Sequence, residues 1–161
     1  MRYCPKCKEE LIKSIIDNKE RLRCSGVSCG FVFWNNPIPV VAIVVEVDEG
    51  IVLAHNKQAP KGIFSMITGF LEADETPEYA AQREVQEELG LDTTAITFLG
   101  LFPFARMNQL IIAYHVQAKG VIKLNDELDE TIIVQKDELV GWRETGKFEV
   151  ADWLSKLKVL N

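Results

Sequence analysis

The fold of this chain is decided by residues 69–91, which read GFLEADETPEYAAQREVQEELGL. Thr76 is a good N-cap, Pro77 suits the first helical position because no amide donor is needed there, and Gly90 suits the left-handed residue that ends a helix. We therefore predict a helix over residues 77–89. Its apolar side can pack closely on a sheet and comprises Ala80, Ala81, Val85 and Leu89.

Three glutamates of this helix, Glu84, Glu87 and Glu88, recur at steps of three and four residues. At 3.6 residues per turn they share one sector, where like charges destabilise a helix by roughly 0.2–0.5 kcal/mol per pair. Arg83 can offset part of this repulsion through Glu87, but a hard divalent cation with oxygen ligands accounts for all three acids. The alternative interpretation is a solvated acidic helix face.

The loop before the helix favours the metal site. Together, loop and helix resemble the Nudix box, G-x5-E-x7-R-E-U-x-E-E-x-G-U, in which U is an aliphatic residue. Every defining position matches, namely Gly69, Glu75, Arg83, Glu84, Val85, Glu87, Glu88, Gly90 and Leu91. On this resemblance the chain is identified as a member of the Nudix hydrolase family.

The resemblance implies an α+β fold, the Nudix α/β/α sandwich, whose loop–helix–loop element hydrolyses a nucleoside diphosphate linked to another moiety. It implies Mg2+ or Mn2+ as the catalytic cofactor. The implied metal ligands are Glu84, Glu87, Glu88, Glu72 and Glu127. Arg83 and Glu75 resemble the pair that orients these ligands, and Asp74 departs from the glycine that many members carry at its position.

Roles within the site also follow from the resemblance. The expected catalytic residues are Glu87, Glu127 and Arg83, and Gly69 and Phe70 are expected at the substrate. Glu127 lies in an acidic segment, residues 125–130, and best matches a downstream glutamate of the family that reaches back to metal or water, with Glu130 second. The alternative for this segment is a solvated connection.

Four cysteines stand in two pairs near the N-terminus, Cys4 with Cys7 and Cys24 with Cys29. Such loops can present four thiolates tetrahedrally, and the segment between the pairs is too poor in apolar residues to form a core alone. We predict a zinc ribbon over residues 1–35, whose four ligands make its Zn2+ structural, and a Nudix hydrolase domain over residues 36–161. The second pair has four intervening residues instead of the usual two, and two disulfides are the alternative.

Strands are indicated on both sides of the helix. Arg21–Arg23 and Gly30–Trp34 suggest a hairpin in the ribbon, and the prolines of residues 35–39 indicate a linker. The β-branched residues 40–47 predict a strand buried on both faces, and 51–55 its hairpin partner, which ends in the polar residue His55. Further strands are expected over residues 95–100, 110–118 and 131–134, and helical spacing indicates a terminal helix over 151–157.

The segment Leu101–Gln109, between two of these strands, bears on the substrate. At about this place NADH pyrophosphatases carry S-Q-P-W-P-F-P-x-S, from which this chain retains Pro103 and Phe104, with Phe102 in place of Trp. The arrangement of Phe64 and Phe70 before the helix also resembles the zinc-ribbon NADH pyrophosphatase branch. Phe102 and Phe104 therefore either stack on a base of the substrate or belong to the core.

Composition sets the outer limits. With 161 residues, 47% of them hydrophobic, the chain can form one full core and a small appendage. Its net charge of −6 argues against broad electrostatic binding to nucleic acid. No apolar run has the roughly 18 residues that a membrane helix needs, and a metal-site pattern occupies the place of a signal core. We expect a cytoplasmic protein.

The leading hypothesis is a zinc-ribbon Nudix hydrolase that splits a dinucleotide such as NADH or NAD+ into two mononucleotides. An ADP-ribose or nucleotide-sugar pyrophosphatase is an alternative within the same class. A non-catalytic module that senses nucleotides or binds nucleic acid is the alternative from another class, and the intact ligand set argues against it. Because zinc-ribbon members of the family are commonly dimers, a homodimer is expected.

Overall fold

The computed structural model describes residues 1–135 and divides the chain into two compact units, Met1–Pro37 and a second that starts at Ile38. The domain boundary that the sequence predicts, between residues 35 and 36, stays a prediction. The linker interpretation of residues 35–39 is too long, because Ile38 and Pro39 already belong to a strand. Among the described residues no helix is long and apolar enough to cross a membrane.

The first unit is a three-stranded antiparallel sheet in the order β1–β2–β3. Its strands are β1 (Leu11–Ile16), β2 (Lys19–Cys24) and β3 (Val32–Phe33). The turn between β1 and β2 holds Asp17 at φ 51° and Asn18 at φ 61°, the left-handed pair of a type I′ hairpin. The sequence predicts the β2–β3 hairpin but does not indicate β1. A small core joins Cys4, Leu11 and Cys24, with Leu22, Cys29 and Phe31 packed against it.

The second unit is a mixed sheet with one described helix. Its elements are β4 (Ile38–Val47), β5 (Gly50–Asn56), β6 (Ile67–Phe70), α1 (Pro77–Leu89), β7 (Asp92–Phe104), β8 (Gln109–Lys119) and β9 (Leu128–Val134). The strand order is β7–β8–β4–β5–β9, with β6 also paired to β4. β4 pairs in parallel with β8, and its other partners are β6 along Val40–Ile43 and β5 along Val45–Val47.

Alternate residues of β4 enter two different hydrophobic cores, which confirms that this strand is buried on both faces. Val41, Ile43 and Val45 join the cluster that contains the apolar side of α1, whereas Ala42 and Val44 join a second cluster. The β-branched run of β4 is what a strand covered on both faces requires. The expected terminal helix over residues 151–157 lies outside the described residues.

The helix α1 begins and ends where the sequence predicts. The Thr76 hydroxyl accepts a hydrogen bond from the backbone N–H of Tyr79 at 3.3 Å. At the other end Gly90 adopts φ 67°, and its N–H donates to the carbonyl of Gln86 at 3.0 Å. Both ends are therefore capped by local contacts.

Two predicted connections are parts of strands. The expectation that residues 101–104 lie between strands is wrong, because β7 continues to Phe104 and pairs Phe102 with Ile111 and Pro103 with Leu110. β7 is an edge strand of the sheet. An edge strand tolerates Pro103, which has no N–H to donate. β9 likewise starts at Leu128, three residues before the predicted strand.

Candidate active site

The packing of Glu84 on Gly69 positions the first carboxylate of α1. Glu84 is only 9% exposed, and a Cβ atom added to Gly69 would lie 1.9 Å from its Oε1. Gly69 has no positive φ, so its glycine is required by this close approach and not by backbone conformation. Burial raises the pKa of Glu84, and the hydrogen bond from Arg83 opposes that rise.

Arg83 is the centre of a hydrogen-bond network that holds the loop and the helix together. Its Nε and Nη2 donate to the two carboxylate oxygens of Glu75 at 2.7 and 3.1 Å, a bidentate pair. Its Nη1 donates to Glu84 at 2.8 Å and to Glu87 at 3.0 Å. The Arg83 hydrogen bonds lower the pKa of Glu75. The geometry thus brings together the orienting pair and two of the expected metal ligands.

The loop between Glu72 and Glu75 closes on the same network. Glu75 Oε2 also accepts a hydrogen bond from the backbone N–H of Glu72 at 3.0 Å. Between them Asp74 adopts φ 63°, a left-handed conformation that glycine adopts without strain and aspartate tolerates. A glycine at this position, as the family resemblance implies, would meet this backbone requirement without strain.

Glu88 carries the largest electrostatic perturbation among the described carboxylates of the helix. Burial, followed by the charges of Glu84 and Glu127, raises the pKa of Glu88 to about 7. A carboxylate held near other carboxylates in a desolvated position is one that a cation would stabilise. Its hard oxygen donors suit Mg2+ or Mn2+, so the residues present fit such an ion.

Glu127 reaches this site through a well-ordered turn. The N–H of Asn125 donates to the carbonyl of Glu88 at 3.3 Å, and the Asn125 side chain accepts from the N–H of Glu127 at 3.0 Å and of Leu128 at 3.2 Å. This Asx turn fixes the segment against the end of α1. The interpretation of residues 125–130 as a solvated connection is therefore incomplete, because its backbone is tied to the helix.

A cavity of about 1010 Å³ opens beside these carboxylates, at the upper end of the volumes usual for ligand sites. Of the predicted site residues, those that line it are Glu84, Glu87, Glu88, Glu127, Gly69, Phe70 and Phe104. Glu72, Arg83 and Phe102 are not among its lining residues. Phe102 packs against the second hydrophobic cluster, as the lining residues Phe64 and Phe104 also do.

The lining also includes residues that the sequence does not single out as site residues, among them Phe64, Arg106 and Gln109. Phe64 adds a further aromatic ring, and Arg106 and Gln109 add polar groups next to Phe104. Among the described residues that line the cavity, Arg106 is the one cation. It lies in a short 3-10 helix, Ala105–Met107, between β7 and β8. Only that strand pairing places it at the cavity, and no local sequence pattern indicates it.

His55 supports the wall of the cavity from behind. The sequence predicts a polar residue at a strand end, but His55 is only 6% exposed, and its Nδ1 lies 2.6 Å from Asp129 Oδ1. The ring also packs edge-on against Phe64, with centroids 5.8 Å apart. The hydrogen bond to Asp129 raises the pKa of His55. Its Nε2 lies 3.2 Å from the carbonyl oxygen of Pro60, so His55 connects β5, the loop after it and β9.

The four cysteines of the ribbon have the arrangement of a tetrahedral metal site. Their Sγ atoms all lie within 4.8 Å of one another, with Cys4 and Cys29 at 3.6 Å and Cys7 and Cys24 at 3.3 Å. Sulfur atoms bound to one Zn2+ at about 2.3 Å would be separated by about 3.8 Å. The observed distances exceed the roughly 2.05 Å of a disulfide bond, so the geometry favours a metal site over the two-disulfide alternative. The residues fit a structural Zn2+.

Known proteins resemble this chain in sequence. Residues 36–157 match the family model described as the NUDIX domain. The chain is 31% identical over 120 residues to "NAD-capped RNA hydrolase NudC" of Vibrio atlanticus (strain LGP32), covering 74% of this chain and 43% of that protein. The protein of that description from Pasteurella multocida (strain Pm70) is 28% identical over 119 residues, with 74% and 44% covered. The chain thus spans less than half the length of these curated relatives.

Solved structures share the fold. The crystal structure of a NUDIX hydrolase from Nitrosomonas europaea has a TM-score of 0.76 at 23% identity and covers 96% of this chain and 88% of that one. A MutT protein from Methanosarcina mazei Go1 has a TM-score of 0.63 at 18% identity, with 78% and 96% covered. At these identities the likeness shows the fold alone, and it confirms the predicted α+β Nudix architecture. Since the family match extends over more than half of the sequence, the chain belongs to the NUDIX domain family.

Proposed function

We propose that this protein is a metal-dependent Nudix pyrophosphohydrolase that cleaves a dinucleotide such as NADH or NAD+ into two mononucleotides. One observation carries the proposal: the cavity is lined both by carboxylates and by aromatic rings. The carboxylates are Glu84, Glu87 and Glu88 of the Nudix box and Glu127, and the rings are those of Phe64, Phe70 and Phe104. A diphosphate at the acidic end and a base at the aromatic end would both be accommodated. The hydrolase names of the relatives support the same reaction class.

The metal would be held by the acidic residues of the cavity. The proposed ligands are Glu84, Glu87, Glu88 and Glu127, with Glu72 as a further candidate from the loop. When bound, Mg2+ or Mn2+ would neutralise charge on the diphosphate and lower the pKa of a bound water. In the ribbon, Cys4, Cys7, Cys24 and Cys29 would hold a structural Zn2+.

The chain's own residues prepare the site for hydrolysis. Arg83 fixes Glu84 and Glu87, while Glu75 fixes Arg83. Glu87 or Glu127 would take the proton from the attacking water, whose oxygen bonds to one phosphorus in line with the bridging oxygen. The bond from that phosphorus to the bridging oxygen breaks, and the bridging oxygen leaves with the second phosphate. With NADH the products are AMP and reduced nicotinamide mononucleotide.

The polar groups beside Phe104 would position the rest of the substrate. Phe104 can stack on a base, and Arg106 and Gln109 offer hydrogen-bond donors next to it. Stacking on Phe104 does not require a charged base, so either adenine or reduced nicotinamide could occupy this position. Phe102 is a second candidate for stacking, but it does not line the cavity, which favours a supporting role for it.

The decisive experiment is chromatographic product analysis over a substrate panel. It would comprise NADH, NAD+, ADP-ribose, dinucleoside polyphosphates and nucleoside triphosphates, each with Mg2+ and with Mn2+. AMP plus nicotinamide mononucleotide at the highest rate is the expected result. Cleavage of ADP-ribose alone would keep the reaction and replace the substrate, whereas no product from any member would contradict the enzymatic proposal.

A matched variant separates the enzyme from a contaminating hydrolase. Arg106→Gln keeps a hydrogen-bond donor and removes the charge, so we expect a higher KM for the preferred dinucleotide with kcat changed far less.

A homodimer and a cytoplasmic location are further parts of the proposal. Sedimentation equilibrium of the zinc-loaded protein tests the first, and a monomer at all concentrations would contradict it.

A further inference from the structure

The whole-chain charge conceals a difference between the two units. Met1–Pro37 contains seven Lys and Arg and four Asp and Glu, a formal net charge of +3. The chain's net charge of −6 therefore leaves −9 for the remainder. A zinc ion with four thiolates adds about −2 at the cysteine end and still leaves the ribbon positive. Net charge thus disfavours nucleic-acid binding by the second unit but not by the ribbon.

Three cations of β2 share one face of the ribbon sheet. Successive side chains of a strand alternate between faces, so Lys19, Arg21 and Arg23 project together, opposite Cys24. We call these three residues the basic stripe. The residues that pair with them on β1 are uncharged, namely Ile16, Ser14 and Ile12. No carboxylate therefore stands opposite the stripe on β1.

The ion pairs of the ribbon lie elsewhere. Lys13 pairs with Glu20 at 2.9 Å on the other face of the sheet, and Arg2 approaches Glu10 at 3.6 Å. Within residues 1–135, no member of the basic stripe forms a salt bridge. Lys19 and Arg23 are exposed. Their charges are available to an anionic partner.

Trp34 places an aromatic ring beside this stripe. The Arg21 guanidinium carbon lies 4.7 Å from the centroid of the Trp34 ring, and Arg21 Nη1 donates to the Trp34 carbonyl at 2.7 Å. These two contacts fix the ring next to the cations. Trp34 is nevertheless 45% exposed, an unusual position for so large an apolar surface.

We infer that the face formed by the basic stripe and Trp34 binds single-stranded nucleic acid. Cations spaced along a strand can follow a phosphate backbone, and an exposed ring can stack on an unpaired base. Single strands fit better than a duplex, because only an unpaired base offers its face to the ring. This binding is separate from hydrolysis, and the inference does not rest on the proposed function.

The test is fluorescence anisotropy with the zinc-loaded full chain and a fluorescein-labelled oligouridylate of about 15 nucleotides, long enough for one site. The triple variant Lys19→Gln, Arg21→Gln, Arg23→Gln should bind at least about tenfold more weakly at low salt. The slope of log K against log salt should become shallower by about 2, since three phosphate contacts are lost. Zinc content and circular dichroism verify that the ribbon remains folded.

A matched variant changes the same charge elsewhere in the ribbon. Lys6→Gln, Lys8→Gln, Lys13→Gln also removes three positive charges, but none of them belongs to the stripe. We expect this variant to keep most of its affinity. Equal losses in both triple variants would mean that overall charge causes the binding and would overturn the assignment to this face.

Trp34→Ala tests the stacking role separately and does not depend on the triple variant's folding. Loss of one stacked base should weaken binding by about 5-fold to 150-fold, with little change in salt slope. Unchanged affinity for the Trp34→Ala variant would overturn the stacking role. Equal binding of a duplex of the same length, or no binding of the wild-type chain at low salt, would overturn the inference as a whole.

Discussion

The two metal sites proposed for this chain differ in how far the polypeptide assembles them in advance. The cysteine sulfur atoms converge within 4.8 Å, and Cys4 and Cys24 are 2% and 4% exposed. Within the described residues the carboxylates form no such close group, although several of them line one cavity. Neutral thiols can approach one another at no electrostatic cost, whereas ionised carboxylates repel and need a cation between them.

The difference corresponds to two functions. A closed set of four soft ligands leaves no position for a substrate and serves the fold. An open set of hard ligands beside a cavity leaves positions for phosphate and water. In the carboxylate site Arg83 limits the repulsion by donating hydrogen bonds to Glu84 and Glu87. The pKa of Glu84 is nevertheless raised by burial, and that of Glu88 is raised to about 7. Removal of one ligand from each site should therefore have opposite consequences.

The largest expected effect is the loss of the ribbon fold in Cys7→Ser. Structural zinc contributes about 10–16 kcal/mol of apparent binding free energy in small zinc domains, and the small ribbon core cannot replace it. We expect zinc content to fall from one per chain to near zero, with lower stability and no direct effect on the chemical step. Metal analysis and hydrolysis per folded chain measure the two quantities.

The control for the ribbon is Ser28→Ala, an exposed change in the same cysteine loop that should keep the zinc. A Cys7→Ser protein that is folded and fully active without zinc would show that the cysteine site is dispensable. The cysteine site would then not be a structural metal site, and its contrast with the carboxylate site would be lost.

Glu88→Gln should do the opposite of Cys7→Ser, by lowering activity without lowering stability. We expect the fold and the zinc content to be retained, and kcat to fall by about 10² or more, the usual scale for one major electrostatic contributor. Glu78→Gln is the matched control on the same helix, because its amide oxygen can still accept the hydrogen bond from Tyr114. A near-normal rate in Glu88→Gln would remove Glu88 from the ligand set.

The parts of these sites that could be predicted from sequence are those fixed by local contacts. The ends of α1 depend on Thr76 and Gly90, which act within one turn of themselves, and the carboxylate spacing is a property of the same helix. The cysteine pairs are similarly short-range patterns. In each case the residue type and its spacing determine the structure with little help from the rest of the chain.

The rest depends on contacts between distant residues. Arg106 reaches the cavity only because β7 and β8 pair, and His55 finds Asp129 across 74 residues of chain. The strand β1 was missed because its charged and apolar residues do not alternate clearly, and its partner β2 and the turn at Asp17 and Asn18 determine it. Tertiary pairing overrides such weak local patterns.

Gly69→Ala tests how sensitive the carboxylate site is to a small displacement of Glu84. The added Cβ would lie 1.9 Å from Glu84 Oε1, so Glu84 must move. Because displacement of a reacting group by about 1 Å can cost about 10²-fold, we expect kcat to fall by about 10-fold to 10²-fold. Steady-state kinetics and urea unfolding measure the effect.

A double-mutant cycle identifies the cause of that loss. Glu84→Ala removes the side chain that the new Cβ would meet, so Gly69→Ala should cost little stability in that background. Equal stability costs of Gly69→Ala with and without Glu84 would mean that the glycine is needed for some other reason.

Glu88 should also make the stability of the protein depend on pH. Its folded pKa is raised from 4.5 to about 7, so the folded state binds this proton more tightly than the unfolded state does. The free energy of unfolding should therefore fall as pH rises from about 4.5 to about 7, and this contribution should be constant above that range. Urea unfolding of zinc-loaded protein without Mg2+ measures it, and Glu88→Gln should flatten the profile.

Mg2+ should reverse this trend, because the cation competes with the proton for Glu88. The rise in melting temperature on addition of Mg2+ should grow as pH increases towards 7 and then level off. The cysteine site should show no Mg2+ response at any pH, since hard cations do not prefer thiolate ligands. If Mg2+ stabilised the protein equally at pH 5 and pH 8, proton and metal would not share Glu88, and the open site would have to be assigned to the other carboxylates of the cavity.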